Sequence, residues 1–294
     1  MLSDEGSFGE SERGKRILDW FTGGSDEAEE IVSPHTVAAD GAGRIWVTDA
    51  GLSGVHLFDL ARQKISFFGG SASHPMMLPL GVAYDRVHDR VYVSDALAAQ
   101  VYAFDSDGGP LDSWRAEKSF KRPVGMTVDA DGRLYVVDAL SGVVEVLSAV
   151  GGHLLTLDSA DSEFGPMNRP VAVAVDHLGH AFVVDSLGFR VLVFDREGQP
   201  IGSIAHLGDS PGNLARPRGV AVDSQGHVYV ADAAFDNIQI FDMAGNTLLF
   251  FGGAGSGPGF FSLPAGLAFD REDRLYVVDA QNKRVQVFQY LSQP

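Results

Sequence analysis

A short pattern recurs six times along this chain: a proline, a brief apolar run closed by aspartate, a turn, and another apolar run closed by a second aspartate. The opening residues are Pro34, Pro79, Pro123, Pro170, Pro217 and Pro264. The closing ones are Asp49, Asp95, Asp138, Asp185, Asp232 and Asp279, spaced 46, 43, 47, 47 and 47 residues apart. Copies at such a period stack as a solenoid, an array or a propeller, because one copy alone cannot bury its apolar faces. A repeat scaffold carries its chemistry on a few variable loop positions, so the pattern speaks to architecture before function.

The fifth copy shows the unit. Val220-Ala221-Val222-Asp223 reads as a short strand, and Ser224-Gln225-Gly226 as a tight turn in which glycine takes positive φ. His227-Val228-Tyr229-Val230-Ala231 is a second strand, rich in β-branched and aromatic residues. Ile238–Asp242 and Thr247–Phe251 supply a third and a fourth. Several strands are apolar at nearly every position, as in Val171-Ala172-Val173-Ala174-Val175, which means that both faces are covered. Blades stacked around an axis achieve this. The expectation is therefore an all-β fold, a six-bladed β-propeller of four-stranded antiparallel blades.

The sixth copy ends three strands in. Residues 16–24 (RILDWFTGG) match the fourth strands at 64–70 and 247–253, so an N-terminal strand is expected to complete the last blade and remove an open sheet edge. On this plan residues 1–14 form an acidic tail, 15–290 the single propeller, and 291–294 a short C-terminal tail.

Charge and composition narrow the function classes. The net charge of −17 opposes binding to nucleic acid, which needs Lys and Arg to displace counterions, and docking on anionic lipid. It calls instead for a protein partner with a basic surface. About a third of the excess lies in residues 1–30, where nine acids face Arg13, Lys15 and Arg16. Other basic residues are scattered along the sequence. The absence of cysteine removes disulfides, thiolate metal sites and cysteine nucleophiles. No run approaches 18 uninterrupted apolar residues, so no membrane span is expected, and the opening Met-Leu-Ser-Asp-Glu-Gly does not read as a signal peptide.

Copies such as Arg216-Pro217-Arg218-Gly219-Val220-Ala221-Val222-Asp223, with Val228–Asp232 and Ile238–Asp242 following, resemble the NHL repeat, as does the stretch from Leu263 to Phe288. The resemblance implies a six-bladed ring and a place outside the cytoplasm, and its members include lyases, RNA-binding repressors and sensor domains. Amidating lyases of this kind bind zinc through histidines in Pro-His steps of separate repeats. Here Pro34-His35 is one such step, and the equivalent positions are Leu80, Val124, Val171, Arg218 and Ala265, so the ligand set is not present. RNA-binding members carry a strongly basic surface, which the overall charge opposes.

Two rings follow from the symmetry. The six closing aspartates could encircle a cation, but an aspartate at a strand end also accepts backbone N–H groups, and a residue present six times fits that structural role. The residue after each opening proline varies, with glycine following it in four copies and Thr36 and Ala172 in the other two, and should face the channel mouth. There His35 and Arg218 would recognise an anionic or carbonyl-bearing group. Loops after the closing aspartates carry Leu97, Leu187, Phe189 and Phe235, a candidate rim for a partner. The sequence thus points to a monomeric, non-catalytic binding or scaffolding propeller with no cofactor, no metal and no catalytic residue assigned. The alternative is a lactonase- or lyase-like hydrolytic propeller with its site at the mouth.

Overall fold

The computed structural model describes residues 30–70, 75–111, 114–210 and 212–289. Within them 22 strands form six antiparallel sheets, four of four strands and two of three, and no helix occurs. Each sheet begins with a strand opened by one of the six prolines. These innermost strands follow one another around an axis, and the first, Pro34–Ala39, lies against the last, Pro264–Phe269, which closes a six-bladed propeller. The fourth strand expected for the last blade at 16–24 lies outside the described residues, as do the tails at 1–14 and 291–294.

The spacing of proline and aspartate has a simple cause. In every blade the opening proline is the register partner of the closing aspartate: Pro34 with Asp49, Pro79 with Asp95, Pro123 with Asp138, Pro170 with Asp185, Pro217 with Asp232 and Pro264 with Asp279. Proline suits the first residue of a strand because it has no N–H to give to the ladder. The aspartate carboxylate, buried in each case, reaches past the proline to the chain just before it. Asp138 accepts from the N–H groups of Lys121 (2.7 Å) and Arg122 (2.9 Å), Asp185 from Asn168 and Arg169, and Asp232 from Ala215 (2.7 Å) and Arg216 (3.0 Å). Asp49 and Asp95 grip the two residues before their prolines in the same way, and Asp279 accepts from Ser262. Backbone donors hold these carboxylates, joined by side chains such as Arg190 on Asp185 and Asn282, Arg284 and Gln286 on Asp279, which is the structural role expected of a residue repeated six times.

The core lies between neighbouring blades. Along the second strand of blade 4, Ala181–Asp185, Val183 packs with Tyr135, Val137 and Val146 of blade 3, whereas Phe182 and Val184 pack with Val228, Val230 and Phe241 of blade 5. Side chains alternate across the sheet, so a strand with apolar neighbours on both faces must be apolar throughout. At the axis the innermost strands approach so closely that a Cβ on Gly81 or Gly219 would stand 2.0 Å from a carbonyl oxygen of the next blade. Glycine there is a packing requirement.

Candidate functional site

Directly after each opening proline the register of the first two strands slips. A bulge of this kind re-aims a side chain out of the regular alternation. It places His35, Leu80, Val124, Val171 and Arg218, the residues after the proline in five copies, around one cavity of about 420 Å³ at the mouth of the ring. The sixth, Ala265, is buried and lines the throat beneath, where free space falls to about 30 Å³. That throat is ringed by Val37, Val82, Met126, Val173, Val220 and Leu267, one from each blade. Below it lies an inner channel of about 210 Å³. The mouth is thus a closed-bottomed pocket.

His35 and Arg218, from blades 1 and 5, meet across the mouth. Nδ1 of His35 is 3.1 Å from the carbonyl of Leu80, so it carries the hydrogen and donates it. The lone pair is then on Nε2, which faces Nη2 of Arg218 at 3.5 Å. Burial and then the Arg218 charge hold the imidazole down to about 4, against a smaller opposing effect of the Leu80 bond. The ring is neutral and an acceptor toward Arg218. Burial pushes the Arg218 guanidinium below its ordinary value too, and the charges of Arg216 and Arg169 add to that.

Leu187 and Phe189 line the same cavity, contributed by the loop after Asp185. Phe189 has φ of 56°, and Leu187 is 48% exposed. Leu97 and Phe235 occupy related loops of blades 2 and 5 but do not line the cavity: Leu97 is 63% exposed and Phe235 half-buried. The cavity is off-centre, drawing on blades 1 to 5 and most heavily on blade 4. It also contains three residues that sequence reasoning passed over. Arg122, Arg169 and Arg216 immediately precede the opening prolines of three consecutive copies, and the ring gathers them beside Arg218. Basic residues that look scattered along the chain are here side by side. The signal was available as Arg-Pro at one place in three repeats.

Several other histidines have local partners. His180 and His227 pair through Nδ1 with Asp176 and Asp223, each 2.8 Å away and four residues earlier, where other blades use Arg44 with Asp40, Arg133 with Asp129 and Arg274 with Asp270. Among the described residues no group of three or more His, Asp or Glu is placed to hold a metal ion. None of them forms a helix long and apolar enough to cross a membrane.

No curated protein resembles the chain in sequence. Among solved structures it is similar to a protein of unknown function from Bacteroides thetaiotaomicron (TM-score 0.72, 15% identity, covering 88% of this chain and 70% of that one). It is also similar to virginiamycin B lyase from Staphylococcus aureus (0.63, 10%, 90% and 87%) and to a gluconolactonase from Xanthomonas campestris (0.64, 16%, 92% and 91%). Likenesses at this identity concern the fold, and the neighbours span a protein of unknown function and two enzymes. Residues 214–241 and 261–288 match the NHL repeat. With those two repeats matched and six blades built on one proline–aspartate plan, this chain is a six-bladed β-propeller that carries NHL repeats.

Proposed function

We propose that this protein is a non-catalytic binding propeller whose ligand or partner engages the mouth built by His35, Arg218, Leu187 and Phe189. The observation that carries this reading is the character of the mouth: a preformed concave cavity with apolar walls and a few converging polar groups, closed by an apolar throat. Catalysis of hydrolysis asks for a positioned base or a nucleophile with one beside it. The lining contains no carboxylate, and its single imidazole is held neutral with both nitrogens engaged, a weak base near neutral pH. Leu97 and Phe235 would act at most as an outer rim for a larger partner. Work in an oxidising compartment outside the cytoplasm fits a chain without cysteine.

The test is to isolate the protein from its native source, identify by mass spectrometry what travels with it, and repeat this with Leu187→Ser combined with Phe189→Asn. Asparagine tolerates the left-handed backbone at 189. A companion left with nothing bound, while Phe235→Ser keeps the ligand, supports the reading. Turnover of lactones or esters by purified protein that disappears in Arg218→Ala would replace it with the enzyme reading, whose fold precedents are the lyase and the lactonase.

A further inference from the structure

Four arginines line one cavity of a chain whose formal charge is −17: Arg122, Arg169, Arg216 and Arg218. Elsewhere in the ring arginines are neutralised by the closing aspartates, as Arg190 is by Asp185 and Arg284 by Asp279. These four have no carboxylate partner among the described residues, and no acidic residue lines the cavity. Arg218 is half-buried, and the polar contact it makes is with an uncharged imidazole. Arg169 and Arg216 are exposed, but their charges act on the half-buried Arg218, and a bound group of opposite sign would relieve that repulsion. The bottom of the same cavity is apolar, with Leu80, Val124 and Val171, and one wall is Leu187 and Phe189.

We propose that the mouth binds a small organic anion, its carboxylate or phosphate held by Arg169, Arg216 and Arg218 and its apolar body against Leu187 and Phe189. This rests on the reading of the mouth as the binding face and names what it takes. A guanidinium offers paired N–H donors to two oxygens of one group, so planar or tetrahedral oxyanions fit the arc better than halides. The mouth volume of about 420 Å³ accommodates a compact acid and excludes a folded domain. His35 keeps its role without charge: its Nε2 receives a hydrogen from Arg218 and so aims the guanidinium. The backbone of Arg122, Arg169 and Arg216 is pinned by Asp138, Asp185 and Asp232, which sets the origin of each side chain. The basic-surfaced protein partner that the overall charge calls for would meet the acidic exterior instead of this pocket.

Calorimetric titration of the full chain at low salt tests the proposal, with phenylacetate, phenyl phosphate, citrate and inorganic phosphate as probes and phenylacetamide as the uncharged comparison. Saturable binding of an acid but not of the amide is expected. Arg216→Ala and Arg218→Ala should each weaken it by roughly tenfold or more, while Arg62→Ala, on an exposed arginine away from the mouth, leaves it unchanged. Phe189→Asn should weaken the phenyl acids and spare inorganic phosphate. Arg216 is exposed, so its variant keeps the fold, and a thermal melt checks this. Binding of none of the probes at millimolar concentration, or binding indifferent to both arginine variants, overturns the proposal. Tighter binding of a single-stranded oligonucleotide or an acidic peptide than of any small acid overturns it as well. If the small acids fail while Leu187→Ser with Phe189→Asn still strips a natural companion, the mouth remains the binding face and only the ligand class falls.

Discussion

Replacing Asp49 by asparagine removes one charge and almost no volume, and it isolates what a buried strand-end carboxylate does for the ring. Its side chain is fully buried and accepts from the N–H groups of Val32 (2.7 Å), Ser33 (3.0 Å), Gly51 (2.9 Å) and Leu52 (3.2 Å), and from Nε2 of His56 (3.2 Å). Burial alone would raise its pKa. The His56 bond and the backbone donors outweigh burial and bring it from 3.8 down to about 2. A difference of nearly two pKa units between unfolded and folded chain corresponds to about 2 kcal/mol. The folded value is the lower one, so the stabilisation is present above the unfolded pKa and is lost as pH falls through the folded one. For a ring of this size that is a melting temperature lower by roughly 4–8 °C in the variant near neutral pH. The assay is thermal unfolding followed by circular dichroism from pH 7 down to pH 2, on wild type and Asp49→Asn. The gap between them should hold to about pH 4 and narrow from there toward pH 2. A gap that stays constant over that range, or is missing at pH 7, would refute the argument that the carboxylate's charge, met by backbone dipoles and His56, carries the effect.

Two further outcomes follow from the same geometry. Gly219→Ala should lower stability by roughly 2–3 kcal/mol, since its Cβ would meet the Ala265 carbonyl oxygen at 2.0 Å, whereas Gly253→Ala, whose nearest neighbour is 4.0 Å away, should be neutral or slightly stabilising; equal melting temperatures for the two would contradict the close-approach account. Because the six closing aspartates are occupied by backbone and side-chain donors, EDTA and calcium should both leave the melting temperature unchanged, and an upward shift of several degrees on adding calcium would show that a cation binds the native ring.

The architecture was legible because it is written six times. A single proline or aspartate says little, but the same pair at matched spacing in every copy is a register statement, and Pro217 opposite Asp232 is what that spacing means in space. The mouth was half legible. His35 and Arg218 stand out because the position after the opening proline varies, and the bulge there turns both into one cavity. Leu187 and Phe189 were found by the same attention to loops that also selected Leu97 and Phe235. The loops look alike in sequence, but the cavity leans toward blade 4, and nothing local to a repeat records that asymmetry. Arg122, Arg169 and Arg216 were missed for another reason: net charge is a sum over the whole surface, and 39 acids against 22 bases conceal a local concentration of the opposite sign.

The place where those arginines stand also explains how a uniform ring can acquire one specific face. The residue before each opening proline has its main-chain N–H committed to the closing aspartate in copies one to five: Ser33, Leu78, Arg122, Arg169 and Arg216. The scaffold uses only the backbone of this position, and in the three arginine copies it leaves the side chain free to point over the mouth. The residue after the opening proline is likewise fixed by a bulge that depends on its neighbours and not on its own chemistry. Two positions per copy can therefore change identity at little cost to the fold, and they sit next to each other around one opening. Leucine and arginine at the first, and histidine, leucine, valine and arginine at the second, make one side of the mouth cationic and its floor apolar. Exchanging Arg122, Arg169 or Arg216 for leucine, as blade 2 already has in Leu78, should accordingly alter the charge of the mouth while the unliganded propeller becomes no less stable.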